Sequence, residues 1–168
     1  RLHAAAMVMV DIAPRIEPEG SDRIKAFMDQ KPDGFDTLDE VADAIASYQP
    51  QRTRPRNLDG LAKNIRLGSD GKYHWHWDPR RRNRTWDMSE YRQSLERAAD
   101  NLNLPVLLVR GGLSDVLTEE GAQSFLQQCP HAEYVNVTGA AHMVAGDRND
   151  VFSGAVVDFL HRVVPPEG

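Results

Sequence analysis

The chain has 168 residues, 40% of them apolar and 27% charged, with a formal net charge of -5. That length suits one domain, or one domain with a small lid, and the composition is that of a globular protein. The acidic balance argues against nucleic acid as a partner, no apolar run approaches the roughly 18 residues of a membrane span, and the opening RLHAAAMVMVDIAP lacks the flanks of a secretion signal.

Ala4 to Asp11 (AAAMVMVD) is apolar at every position up to Asp11 and stops before Pro14, which predicts a short strand buried on both faces. The region from Arg15 to Asn101 is richer in charge, Trp, Arg and Pro, and its helical stretches are separated by breakers. Ser21 to Asp29 carries an N-cap residue at Ser21 and apolar Ile24, Phe27 and Met28 at helical spacing. In Thr37 to Tyr48, Thr37 and Glu40 have the spacing of a capping box, and Leu38, Val41, Ala42 and Ile45 share one face. A third helix is expected over Asn57 to Ile65, and Gly68 and Gly71 then signal a turn before the alternating Tyr73, Trp75 and Trp77. The helical pattern resumes over Ser89 to Asn101.

From Leu104 onward strands and helices alternate: a buried strand at Val106 to Val109, a helix at Thr118 to Gln128, a strand at Glu133 to Val137 and a terminal helix at Asp150 to Val163. That alternation predicts an α/β fold with a parallel sheet, interrupted by a helical insertion after the first strand. The division expected is 1–14 for the strand before the insertion, 15–101 for a helical cap and 102–168 for the C-terminal core.

Ligands of parallel sheets meet the loops beyond the carboxyl ends of the strands. Two such loops follow strands here, RGGLSD (Arg110 to Asp115) and TGAAHM (Thr138 to Met143). One offers a carboxylate and the other an imidazole. A carboxylate that accepts from one imidazole nitrogen fixes the tautomer and leaves the other nitrogen as a base. Asp115 could instead cap the following helix, and His142 could be a solvated loop residue, but their joint placement after consecutive strands favours a pair. Asp11 also ends a strand; support of the turn at Ala13–Pro14 is its expected role, with Asp115 as the catalytic acid.

The arrangement PVLLVRGGLSDVL … GAAHMV followed by a helix resembles the last third of the alpha/beta-hydrolase superfamily. The resemblance is nearest to its lidded epoxide-hydrolase, haloperoxidase and C–C-hydrolase relatives. It implies a triad acid at Asp115 and the triad histidine at His142, in the chain order nucleophile, acid, histidine. Some branches of that family place the acid at the position of Asp11. The opening VMVDIAP is similar to the strand that precedes the cap in lidded members. The nucleophile elbow, G-x-S-x-G or its Asp variant, is absent: GLSDV at Gly112 to Val116 lacks the second glycine. The chain is therefore expected to be the C-terminal part of a larger hydrolase, associating with a missing N-terminal part or with another chain that supplies the nucleophile.

The resemblance implies hydrolysis of an ester, lactone or C–C bond with a serine nucleophile, or of an epoxide or haloalkane with an aspartate. The alternative is a non-catalytic binding module. Trp75, Trp77 and Trp86 could line an apolar substrate pocket or pack within the cap, and Met143 could touch substrate or pack. The expected partner is a small apolar organic molecule. His74 and His76 alternate with the tryptophans and are too few for a metal site, and the Arg-rich run Asp78 to Asp87 is expected to be a solvated surface. No glycine-rich cofactor loop is present. Cys129, the single cysteine, is expected to be structural, and no metal is implied; a reducing, cytoplasmic setting is the default.

Overall fold

The computed structural model describes residues 3–50, 53–54, 58–78 and 87–164. Trp86 and most of the Arg-rich run lie outside them. The chain divides into two compact units, one of Arg1–Asp22 with Trp86–Gly168 and the other of Arg23–Thr85.

The first unit is built on a three-stranded parallel sheet in the order β1-β4-β5: β1 is Met7–Val10, β4 Val106–Gly111 and β5 Glu133–Val137. The central strand is the apolar run of the sequence, and all six of its residues are buried. Pro105 precedes it and so forfeits no ladder donor within it. In β1, by contrast, Met7 is 37% exposed and the other three residues are half-buried. Met9 packs on the Phe125 cluster and Val8 and Val10 on the Phe159 cluster, so both faces of β1 are covered as expected, but only partly. It is an edge of the described sheet, paired with β4 along one side.

Helices cover both faces of β4, as alternate residues of a parallel strand require. Val106 and Leu108 pack with Leu117, Ala122, Phe125 and Cys129 of the segment around helix α4 (Glu119–Gln128), and with Ala99 of helix α3 (Met88–Asp100). Leu107 and Val109 face the other way, against Val137, Ala140, Val144 and Phe159, the last from helix α6 (Asn149–Val163). Because Ala99 is buried in the Phe125 cluster, α3 groups with the core unit. The expected cap boundary at residue 101 had placed it in the insertion. Thr118 caps α4 by accepting the Gly121 amide.

The second unit has its own core. Helix α1 (Pro18–Asp29), whose residues 18–22 belong to the first unit, begins at a proline, whose missing N–H is no loss in a first turn, so it starts ahead of the expected Ser21. Helix α2 (Leu38–Tyr48) opens with Thr37 Oγ1 accepting the Glu40 amide, as predicted. The Glu40 carboxylate reaches the Asp36 amide at 3.2 Å. The third expected helix is a short 3-10 segment, Asp59–Lys63. Strands β2 (Ile65–Leu67) and β3 (Tyr73–Trp75) form an antiparallel hairpin around the Gly68–Gly71 turn. Phe35, Val41, Ala42, Leu61, Ile65 and Trp75 are its buried centre. No helix among the described residues is long and apolar enough to cross a membrane.

Candidate active site

Asp11 directly follows β1, and its amide continues the ladder to the Val109 carbonyl at 2.7 Å. Its φ of +53° lies in the left-handed region, which aspartate tolerates better than most residues. This turns the side chain back over the end of β4. The carboxylate there is fully buried and accepts three hydrogen bonds. Oδ1 takes the Gly111 amide at 2.9 Å, while Oδ2 takes the Ser114 hydroxyl and meets His142 Nδ1 at 2.8 Å.

His142 comes from the loop after β5. Gly139, at φ +79°, turns that loop, and Asp147 Oδ2 accepts the Ala141 amide at 2.8 Å. A second tie joins the two loops, from the Leu113 amide to the Ala140 carbonyl at 2.8 Å. Their close approach needs a glycine at the end of β4. A Cβ on Gly111 would lie 2.1 Å from the Ala141 carbonyl oxygen, well inside van der Waals contact. Gly111 thus does two things: it donates to the acid and leaves room for the histidine's loop.

The imidazole is 28% exposed, while its Asp11 partner is sealed from solvent. With Nδ1–H directed at a carboxylate, Nε2 is the nitrogen left with a lone pair for proton transfer. The pair has the chemical competence of a general base and its orienting acid.

The expected carboxylate partner of His142 is thereby corrected. Asp11, not Asp115, accepts from its imidazole. Asp115 sits half-buried in the loop after β4, where its backbone carbonyl packs against Gly20 so closely that a Cβ there would lie 2.2 Å away. The residue of that loop that reaches the site is its neighbour Ser114. Neither Ser114 nor Gly111 was singled out from sequence; the signal available was the strand-end position of RGGLS.

Met143 is 48% exposed beside His142, and its carbonyl accepts the Gly146 and Asp147 amides of the short helix α5 (Val144–Asp147). Trp75 and Trp77 belong to the second unit, where they stack on one another at 4.5 Å between ring centroids and pack against Phe27. Trp75 is 6% exposed, and its indole Nε1 is buried without a partner among the described residues. His74 pairs with Asp70 at 2.8 Å, and among the described residues no group of three or more His, Cys, Asp or Glu could hold a metal. Cys129 is buried, and burial pushes its thiol up, away from the reactive thiolate.

No protein-family model matches the chain. A 3-hydroxybutyrate-oligomer hydrolase of Cupriavidus necator is 25% identical over 149 residues, which cover 81% of this chain and 50% of that protein. Among solved structures, an alpha/beta hydrolase from Novosphingobium aromaticivorans is 26% identical with a TM-score of 0.67, over 95% of this chain and 57% of its own. E-2-(acetamidomethylene)succinate hydrolase superposes with a TM-score of 0.74 at 21% identity, over 94% of this chain and 57% of its own. The chain has part of the alpha/beta-hydrolase fold. It spans about half the length of the alpha/beta-hydrolase relatives it matches. Asp11 and His142 sit where that fold exposes chemistry, beyond the carboxyl ends of parallel strands.

Proposed function

We propose that this chain is the C-terminal portion of an alpha/beta-hydrolase that cleaves an ester, lactone or C–C bond with a serine nucleophile carried outside these 168 residues. His142 is the general base that activates the nucleophile, and Asp11 orients its imidazole and stabilises the imidazolium. The observation that carries the reading is the 2.8 Å bond between a fully buried carboxylate and a part-exposed histidine, each placed just beyond a parallel strand. A buried carboxylate is costly unless its lone pairs are hydrogen-bonded, and three donors converge on Asp11. The relatives named above are hydrolases, one of them of an ester oligomer, which supports the reaction class.

The expected substrate is apolar. Ile12, Leu113 and Met143, the chain neighbours of Asp11, Ser114 and His142, are exposed at 51%, 63% and 48%. Exposed apolar residues next in sequence to the site residues suit an acyl or alkyl group better than a charged one.

The test is p-nitrophenyl butyrate hydrolysis by the full-length protein, with fluorophosphonate labelling to report the serine. His142→Ala should abolish turnover and slow labelling by a factor on the order of 10³ or more. Near-wild-type turnover in His142→Ala would remove the proposal. Failure of the wild-type protein to label or turn over would remove the serine reading, and added failure on epoxides and haloalkanes would favour a binding module instead.

A further inference from the structure

Ser114 makes hydrogen bonds whose direction chemistry fixes. Its Oγ lies within hydrogen-bond reach of Asp11 Oδ2, and of the Val116 and Leu117 amides at 3.1 and 3.3 Å. Both amides can only donate, and an ionised carboxylate can only accept. The single hydroxyl proton must therefore point at Asp11, while the lone pairs face the two amides. Ser114 is 9% exposed, so no bulk water competes for these positions. The oxygen it donates to is the same Oδ2 that meets His142 Nδ1. Gly111 meanwhile holds Oδ1.

Such an arrangement leaves the carboxylate little rotational freedom. Without the hydroxyl, Asp11 would keep one tether on Oδ1 and could swing Oδ2 away from the imidazole. It would also lose a charge-assisted hydrogen bond inside a site where water cannot replace it. We infer that Ser114 is a positioning residue of the proposed hydrolase, acting through Asp11 to hold the tautomer and orientation of His142. The inference rests on the hydrolytic reading above and extends it by one residue. A residue that caps a turn and nothing more would accept the same two amides, but its hydroxyl proton would have no functional destination.

The experiment compares Ser114→Ala, Ser114→Thr and Ser114→Cys in the full-length protein, with p-nitrophenyl butyrate turnover, melting temperature and the downfield proton resonance of the His142 ring as readouts. Loss of one hydrogen bond to a charged group should lower kcat by about 10- to 100-fold while KM stays within about twofold, because the substrate never touches Ser114. Ser114→Thr keeps the hydroxyl and should recover kcat to within roughly threefold of wild type. Ser114→Cys keeps the side chain's size but donates weakly, and should lose kcat with little change in melting temperature. The His142 ring resonance should move in the Ala and Cys variants and hold its place in Thr.

Unchanged kcat and an unmoved resonance in folded Ser114→Ala or Ser114→Cys would overturn the inference. So would failure of both variants to fold, since Ser114 would then serve the loop's architecture. If Asp11→Asn and His142→Ala abolish turnover while the Ser114 variants behave as wild type, this inference alone fails. Undiminished turnover in all of them would defeat the hydrolytic reading itself.

Discussion

Asp11 directly follows β1 and Asp115 lies four residues past the end of β4, and sequence pattern favoured Asp115 where the structure sets Asp11 against His142. The R-G-x-x-S-D pattern pointed to Asp115. What the pattern does not encode is which side chain the loop turns inward, and here that is Ser114. The reversal moves the partner from the loop after β4 to the residue after β1, and β4 lies between β1 and β5 in the sheet. His142 was singled out by its place after β5 and a glycine turn, and the structure sets its Nδ1 2.8 Å from Asp11 Oδ2. The assignment predicts a contrast between two conservative variants. Asp11→Asn, which tolerates the same left-handed backbone, should fold normally and lower kcat by roughly 10²- to 10⁴-fold through the wrong tautomer. Asp115→Asn should leave kcat within about threefold. Steady-state kinetics on the two proteins decides the assignment, and the opposite ranking would restore Asp115. Gly111→Ala should destabilise the fold by about 1–3 kcal/mol, since the new methyl meets backbone rather than a movable side chain. Urea denaturation measures that cost, and turnover should fall with it as the histidine's loop is pushed aside.

The elements themselves were the more readable layer. The apolar run of β4, the Thr118 cap of α4, the alternating β5 and the periodic α6 all appear close to where their patterns placed them. Departures came where a local signal was outweighed. Pro18 started α1 earlier than Ser21 would have, and the stretch near Leu61 closed as a 3-10 segment. A polar cluster between β4, α4 and β5 had no sequence signature at all. Glu119 there accepts from Tyr134 at 2.6 Å and from Gln123 at 2.9 Å, with the Arg110 guanidinium 3.4 Å away. The Tyr134 hydroxyl bond, then that of Gln123, lowers the Glu119 carboxyl from its ordinary value. Burial, then the bond to Glu119, pushes the Tyr134 phenol up to about 12. The signs follow by linkage. Glu119 contributes stability that is present above its unfolded value and is lost as pH falls through its depressed folded value. Tyr134 contributes stability that is present below about pH 10 and is lost as pH rises towards 12. Glu119→Gln should therefore flatten the acid side of the stability–pH curve and trim its alkaline side, as read from urea midpoints across pH. Curves that superpose with wild type would show the cluster to be idle.

At the scale of the whole molecule, β1 has no strand beside it among the described residues on the side away from β4. Met7 and Asp11 direct their amides at β4, so by the two-residue period of a strand the amides of Val8 and Val10 face away from it. An apolar strand with outward donors invites pairing with another chain. The 168-residue chain expressed alone should therefore form concentration-dependent oligomers in sedimentation velocity. Val8→Pro, which removes one outward donor at an edge position, should shift them toward monomer while circular dichroism is retained. A strictly monomeric wild-type chain would count against this. The two-unit organisation has another effect. Asp11 and His142 are 131 positions apart, and the whole Arg23–Thr85 unit is spliced into that interval. Closing so long a span is entropically dear at the outset but almost indifferent to further length, since doubling a loop adds only about 0.6 kcal/mol. The spliced unit could thus be lengthened, shortened or exchanged wholesale between lineages while the base and its acid still find each other.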